Sequence, residues 1–195
     1  EYLFYIIFKL FNDKIYGLEN PCHKMFKELF LTNNISFKAI SLDENGIVID
    51  DLKKYDVNIA YVTPSHQFPT GAIMSISRRT ELLNWANENT ERYIVEDDYD
   101  SEFKYTGRPI PALKATDIND KVIYLGSFSK SISPAIRVSY LVLPKALLNI
   151  YQRELPYFIC PVPTLNQKIL YRFIKDGHFV KHINKMRTLY KKKRE

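Results

Sequence analysis

Val122-Ile-Tyr-Leu-Gly-Ser-Phe-Ser-Lys-Ser-Ile-Ser-Pro-Ala-Ile-Arg137 is the stretch on which the fold turns. Val122 to Leu125 is an apolar run of strand length, and a turn of small residues, Gly126, Ser127 and Ser129, follows it. In an open α/β sheet, ligands bind outside the carboxyl ends of the strands. Lys130 stands where this strand has just ended, and the small residues are expected to leave room for a ligand beside the backbone. An amine in that place, flanked by hydroxyls and followed by Arg137, suits a phosphorylated aldehyde. The amine forms a Schiff base, and serines and arginine hold the phosphate. A lysine by itself is usually a solvated surface charge, so the weight of the motif comes from upstream.

Upstream lies Arg92-Tyr-Ile-Val-Glu-Asp-Asp-Tyr-Asp-Ser-Glu102, a second apolar strand, Tyr93 to Val95, that runs into carboxylates. An acid at the end of one strand and a lysine at the end of another can face one ligand. Pyridoxal 5'-phosphate needs that pair, a lysine for its aldehyde and a carboxylate that keeps its ring nitrogen protonated. Two other readings of the acidic run stay open. It can be a solvated turn or helix start. It can also offer metal ligands from Asp97, Asp98, Asp100 and Glu102, although no glycine-bearing calcium-loop pattern follows, and no metal site is assigned.

Three separated stretches in order carry a resemblance. They are Tyr61-Val-Thr-Pro-Ser-His-Gln-Phe-Pro-Thr-Gly-Ala-Ile-Met74, Tyr93-Ile-Val-Glu-Asp-Asp-Tyr-Asp-Ser-Glu-Phe103 and Gly126-Ser-Phe-Ser-Lys-Ser131. Together they resemble the aminotransferase-like domain of MocR/GabR-type bacterial regulators of the GntR family. Such domains have the α/β fold of fold type I pyridoxal-phosphate aminotransferases, a mainly parallel sheet between helices. The resemblance covers nearly the whole chain.

It implies roles residue by residue. Lys130 matches the Schiff-base lysine and Asp97 the ring-nitrogen carboxylate, the two catalytic candidates. Spacing alone does not separate Asp97 from Asp98, because neighbouring strand residues face opposite ways. Tyr99 matches the tyrosine at the ring hydroxyl, and Ser127, Ser129 and Arg137 match the phosphate contacts. Two positions depart from wider aminotransferase patterns. Phe68, before Pro69-Thr70-Gly71, replaces an asparagine that bonds the ring oxygen, a change that MocR-like regulators tolerate. His23 stands two residues after Pro21, where an aromatic residue commonly stacks on the cofactor; a surface loop histidine is the other reading.

The resemblance further implies a partial large domain over residues 1–155, with a linking helix and the start of a small domain over 156–195. A chain that opens on Glu1 inside a helical pattern is expected to be part of a longer protein, lacking a glycine-rich phosphate loop, the rest of the small domain and a winged helix-turn-helix. The isolated segment is therefore expected to be inactive and to bind the cofactor poorly.

The composition suits one soluble core, with 46% hydrophobic and 26% charged residues among 195. Cys22 and Cys160 make no disulfide framework and suggest a reducing cytoplasm. The apolar opening, Tyr2 to Phe8, is too short to span a membrane and has no basic stretch ahead of it for a signal peptide. The net charge of +6 is spread along the chain except for Lys191-Lys-Lys-Arg194, which reads as a solvated helix face. No DNA binding is read in this segment itself.

The expected elements are a helix to Asn12, a strand from Lys14 to Leu18, a turn at Asn20-Pro21 and a helix from Lys24 to Thr32. A strand from Phe37 to Ile40, a turn from Leu42 to Gly46, a short helix from Asp50 to Lys54 and a strand from Ile59 to Val62 follow. Ser77 is the expected N-cap of a helix from Arg78 to Asn89. After the Tyr93 strand come a polar turn with Gly107, Pro109 and Pro111, the Val122 strand, a strand from Val138 to Leu143 and a helix from Lys145 to Glu154. A long helical pattern then runs from Thr164, interrupted at Asp176-Gly177. Strands alternating with helices argue a mainly parallel sheet covered on both faces.

Three functions fit this reading. One is a regulator domain in which a small amine or amino acid displaces Lys130 from the aldehyde and shifts the conformation, with DNA bound only through the winged helix and a homodimer as the working unit. The second is a stand-alone aminotransferase in which Lys130 also moves protons. The third is an interaction domain whose motif residues are relics.

Overall fold

The computed structural model describes residues 1–103 and 110–194. Five parallel strands lie side by side in the order β2 (Phe37–Asp43), β1 (Tyr16–Asn20), β4 (Ile59–Val62), β5 (Tyr93–Asp98) and β6 (Val122–Ser127). A short antiparallel strand closes each edge, β3 (Gly46–Ile47) beside β2 and β7 (Ser139–Val142) beside β6. The α/β, mainly parallel sheet expected from the sequence is therefore present.

Both faces of the sheet are covered, and the apolar runs show why. Along β4, Ile59 and Tyr61 enter one core while Ala60 and Val62 enter the other. The first core takes Phe4, Ile7 and Phe8 from α1 (Tyr2–Leu10), Phe30 from α2 (Lys24–Thr32) and Leu147 from α7 (Lys145–Glu154). The second takes Leu52 from α3 (Ile49–Lys54), Leu82, Trp85 and Ala86 from α4 (Ile76–Asn87), and Leu113 from α5 (Leu113–Thr116). Two further helices, α8 (Thr164–Lys175) and α9 (His178–Arg194), flank Asp176-Gly177, and Gly177 takes the left-handed φ of 74° at the break. Among the described residues no helix is long and apolar enough to cross a membrane.

Several boundaries differ from expectation. The N-cap of α4 is Ser75, whose hydroxyl accepts from the Arg78 amide at 3.2 Å, and Ser77 lies inside the helix. β1 runs to Asn20 instead of stopping at Leu18. β2 runs to Asp43 and turns through Glu44-Asn45 into β3, a return strand where only a turn was expected. Gly107 and Pro109 of the expected polar turn lie outside the described residues.

Gly17 marks the tightest part of the second core. A Cβ there would lie 2.8 Å from Leu52 Cδ2, 3.0 Å from Ile40 Cγ1 and 3.1 Å from Val57 Cγ1. All three neighbours are fully buried and have no solvent to swing into. Gly17→Ala is expected to destabilise the protein by about 1–3 kcal/mol through overpacking. A urea midpoint unchanged from wild type would show that this core has slack.

Candidate functional site

The chain places β2 on one side of β1 and β4 on the other, so the strand order reverses at β1 and β4. Clefts form at such points, beyond the carboxyl ends of the strands. A cleft of about 180 Å³ opens there. Glu19, one residue before the end of β1, lines it, and Cys22, His23 and Phe26 follow. Tyr61 and Thr63 come from the end of β4, Phe68 from the loop behind it, and Asp97 and Tyr99 from the end of β5.

Asp97 is the carboxylate that faces this cleft. Its Oδ2 accepts from the Tyr61 hydroxyl at 2.5 Å. Burial pushes the Asp97 carboxyl up to about 6, more than the Tyr61 hydrogen bond lowers it. The other acids of the run are occupied elsewhere. Glu96 accepts from the Leu113 and Lys114 amides, at 2.8 and 2.9 Å, and so caps the start of α5. Asp98 accepts from Tyr124 Oη at 2.7 Å and from Ser101 Oγ at 2.6 Å. Alternation along β5 thus gives each acid its own task.

Lys130 lies in α6 (Phe128–Ser131), one strand over from Asp97. Its ammonium is 5.4 Å from the centre of the Tyr99 ring and donates to Asp100 Oδ2 at 2.7 Å. Asp97, Tyr99 and His23 therefore line one cleft, and Lys130 stands at its Tyr99 side. Ser127 caps α6, its Oγ accepting from the Ser129 amide at 3.2 Å. Arg137 is exposed and holds a left-handed backbone, φ 49°, after the 3₁₀ turn Pro134–Ile136. His23 caps α2 by accepting from the Met25 amide at 3.2 Å, while its ring centre lies 5.0 Å from that of Phe68. His23 thus both caps a helix and lines the cleft. Gly126 does not open space for a ligand. The place of its missing Cβ is taken by the Tyr140 ring.

Glu19 was not anticipated. Its Oε2 accepts from Thr63 Oγ1 at 2.6 Å and from the Thr63 amide at 3.2 Å. Burial pushes its carboxyl up to about 7. An acid closing an apolar strand was the available signal, as at Asp97, but the strand was expected to stop a residue short of it.

The two raised acids predict a pH dependence. Each has a folded-state pKa above its ordinary value, about 7 against 4.5 for Glu19 and about 6 against 3.8 for Asp97. Their contribution is therefore fully present below the ordinary values and lost as pH rises through the folded ones. For Glu19 the loss is on the order of 3 kcal/mol. The urea midpoint of the cofactor-free protein should fall between about pH 5 and pH 7.5, and Glu19→Gln should flatten that fall. Parallel pH profiles for wild type and Glu19→Gln would remove Glu19 as its source.

The residues present fit a pyridine-aldehyde cofactor. They offer a carboxyl with a raised proton affinity deep in a cleft, a phenol beside it and a primary amine at the next strand end.

The family model for aminotransferase class I and II matches residues 4–195. The HTH-type transcriptional regulator YdeL of Bacillus subtilis is 44% identical over 98% of this chain and 42% of its own length. The probable rhizopine catabolism regulatory protein MocR of Rhizobium meliloti is 32% identical over 89% of this chain and 35% of its own. Among solved structures, the multiple substrate aminotransferase of Thermococcus profundus superposes with a TM-score of 0.86 at 30% identity, over 99% of this chain and 50% of that one. The chain thus spans well under half the length of the regulators it matches.

Proposed function

This chain belongs to the class I and II aminotransferase family, and on that premise we propose that it is the effector-sensing, cofactor-binding domain of a MocR-type transcriptional regulator. The observation that carries the reading is the ranking of the relatives. Identity reaches 44% with an HTH-type regulator, against 30% with an aromatic-amino-acid aminotransferase of Thermococcus litoralis. Phe68 on the cleft wall supports it, since a phenyl ring donates no hydrogen bond to a cofactor oxygen.

Pyridoxal phosphate is the cofactor that the family and its structural neighbours imply. When bound, it supplies an aldehyde for amines and a ring that draws electrons from the attached carbon. Asp97 would hold the ring N–H, and its raised affinity for a proton suits that partner. Tyr99, whose one hydroxyl proton goes to the His66 carbonyl, would turn it toward the ring oxygen. His23 and Phe68 would wall the ring. Ser127, Ser129 and Arg137 would take the phosphate, and Lys130 would be the attachment point.

A small amine or amino acid would take the place of Lys130 and bias the domain toward a second conformation. Residues 1–155 would form part of the large domain and 156–195 the start of a small one. DNA would be bound through a winged helix outside this chain, by a cytoplasmic homodimer.

The test uses the full-length protein loaded with pyridoxal phosphate and a panel of amines and amino acids. An effector should change both the cofactor absorbance and the affinity for operator DNA, without steady turnover. Steady conversion of an amino acid with a keto acid, at unchanged DNA affinity, would favour the stand-alone aminotransferase instead. No cofactor binding at all would sink both.

A further inference from the structure

Asp100 sits just past the residues of the cleft, and its surroundings differ from those of every other acid in the run. It is 8% exposed, yet one of its oxygens serves two basic side chains. Oδ2 accepts from Lys130 Nζ at 2.7 Å and from His66 Nδ1 at 2.8 Å. A carboxylate offers only acceptors, so its partner nitrogen on His66 carries the proton. His66 is tied to the cleft in turn. Its carbonyl accepts from the Tyr99 hydroxyl at 2.7 Å, and its ring stacks at 21° to the Tyr99 ring. Two loops and one helix, far apart in sequence, thus meet on one carboxyl oxygen.

We propose that Asp100 and His66 are positioning residues for Lys130. Asp100 holds the amine in the ligand-free site, and His66 is the donor that keeps Asp100 satisfied when the amine leaves. The inference rests on the reading that Lys130 is the attachment point for the cofactor. A buried carboxylate that lost its only donor would be left unpaired, at a cost that holds the lysine in place. With the His66 N–H already on the same oxygen, Lys130 can leave without creating an unpaired buried charge. Departure still requires the ammonium to give a proton to solvent. Attachment then forms a carbon–nitrogen double bond while the aldehyde oxygen leaves as water.

The two residues therefore act in opposite senses on one lysine. Removing the His66 donor should retain Lys130 on Asp100, whereas neutralising Asp100 should free it. His66→Phe keeps a ring to stack on Tyr99, and its backbone carbonyl remains for the Tyr99 hydroxyl. His66→Asn places an amide N–H near the position of Nδ1.

The experiment follows pyridoxal phosphate attachment to Lys130 in the full-length protein, by borohydride fixation over time and peptide mass spectrometry. It also measures acetylation of Lys130 by acetic anhydride in the cofactor-free protein, relative to its exposed lysines, whose labelling reports on folding. His66→Phe should slow attachment roughly tenfold, and His66→Asn should restore most of the rate. Asp100→Asn should raise the acetylation of Lys130 severalfold. Adding His66→Phe to Asp100→Asn should change nothing more. A wild-type attachment rate in His66→Phe would overturn the inference, as would an equal slowing by His66→Phe in the Asp100→Asn background. Wild-type protein that takes the label on another lysine would overturn the attachment reading itself.

Discussion

Replacing Lys130 by alanine in the full-length protein should abolish covalent attachment of pyridoxal phosphate. After borohydride reduction the peptide spanning residue 130 should carry no cofactor mass, and no other lysine should acquire it. The second half of this expectation follows from where the neighbouring amines are held. Lys121 donates to the carbonyls of Asn89 and Thr90, each at 2.9 Å, at the opposite ends of the strands. Lys114 is paired with Asp120 at 2.7 Å and with Asp117 at 3.3 Å. Among the described residues, only Lys130 places an amine over the Tyr99 ring at the rim of the cleft. Cofactor mass on a different lysine, with Lys130 unlabelled in wild type, would refute the assignment.

Asp97→Asn should have two effects of opposite sign. An amide does not hold a protonated ring nitrogen, so the cofactor should lose an ionic hydrogen bond worth about 1.5–3 kcal/mol, and its electron-sink role should weaken. The ligand-free protein should gain stability. The Asp97 carboxyl is pushed up to about 6 by burial, so above that pH the folded protein carries an unfavourable buried charge that asparagine removes. The asparagine carbonyl can still accept from Tyr61. Asp98→Asn should do neither. It instead weakens the bonds from Tyr124 and Ser101 on the other face, at a cost to stability alone. Cofactor titrations and urea midpoints above about pH 7 on the two variants decide the matter. A larger loss of cofactor affinity in Asp98→Asn would put the carry-over one residue out of place.

The ends of several elements could be read from the chain because their causes are local. The helices Lys24–Thr32 and Lys145–Glu154 and the strand Ile59–Val62 stop where expected. Each is bounded by nearby polar residues, a proline or a change in apolar period, which the residues themselves display. The parallel sheet was equally legible, since strands apolar on both faces and separated by helices can be buried in few other ways. Two apolar runs put an acid and a lysine each at the end of a strand, and the sheet makes those strands neighbours.

The functional partnerships were not legible in this way. Alternation says that Asp97 and Asp98 face opposite sides, but which side holds the cleft depends on the strand order around β1 and β4. Both Ser75 and Ser77 can cap a helix, and the backbone angles at Ser75 make the choice. Glu19 looks like any acid before a turn until β4 and its loop bring Thr63 against it, and only then does burial raise its affinity for a proton. Lys130 and His66 meet on Asp100 across 30 and 34 residues of chain. Local propensity and period are properties of neighbouring residues. Burial, charge pairing and the face a side chain presents arise from segments that meet only when the sheet is assembled.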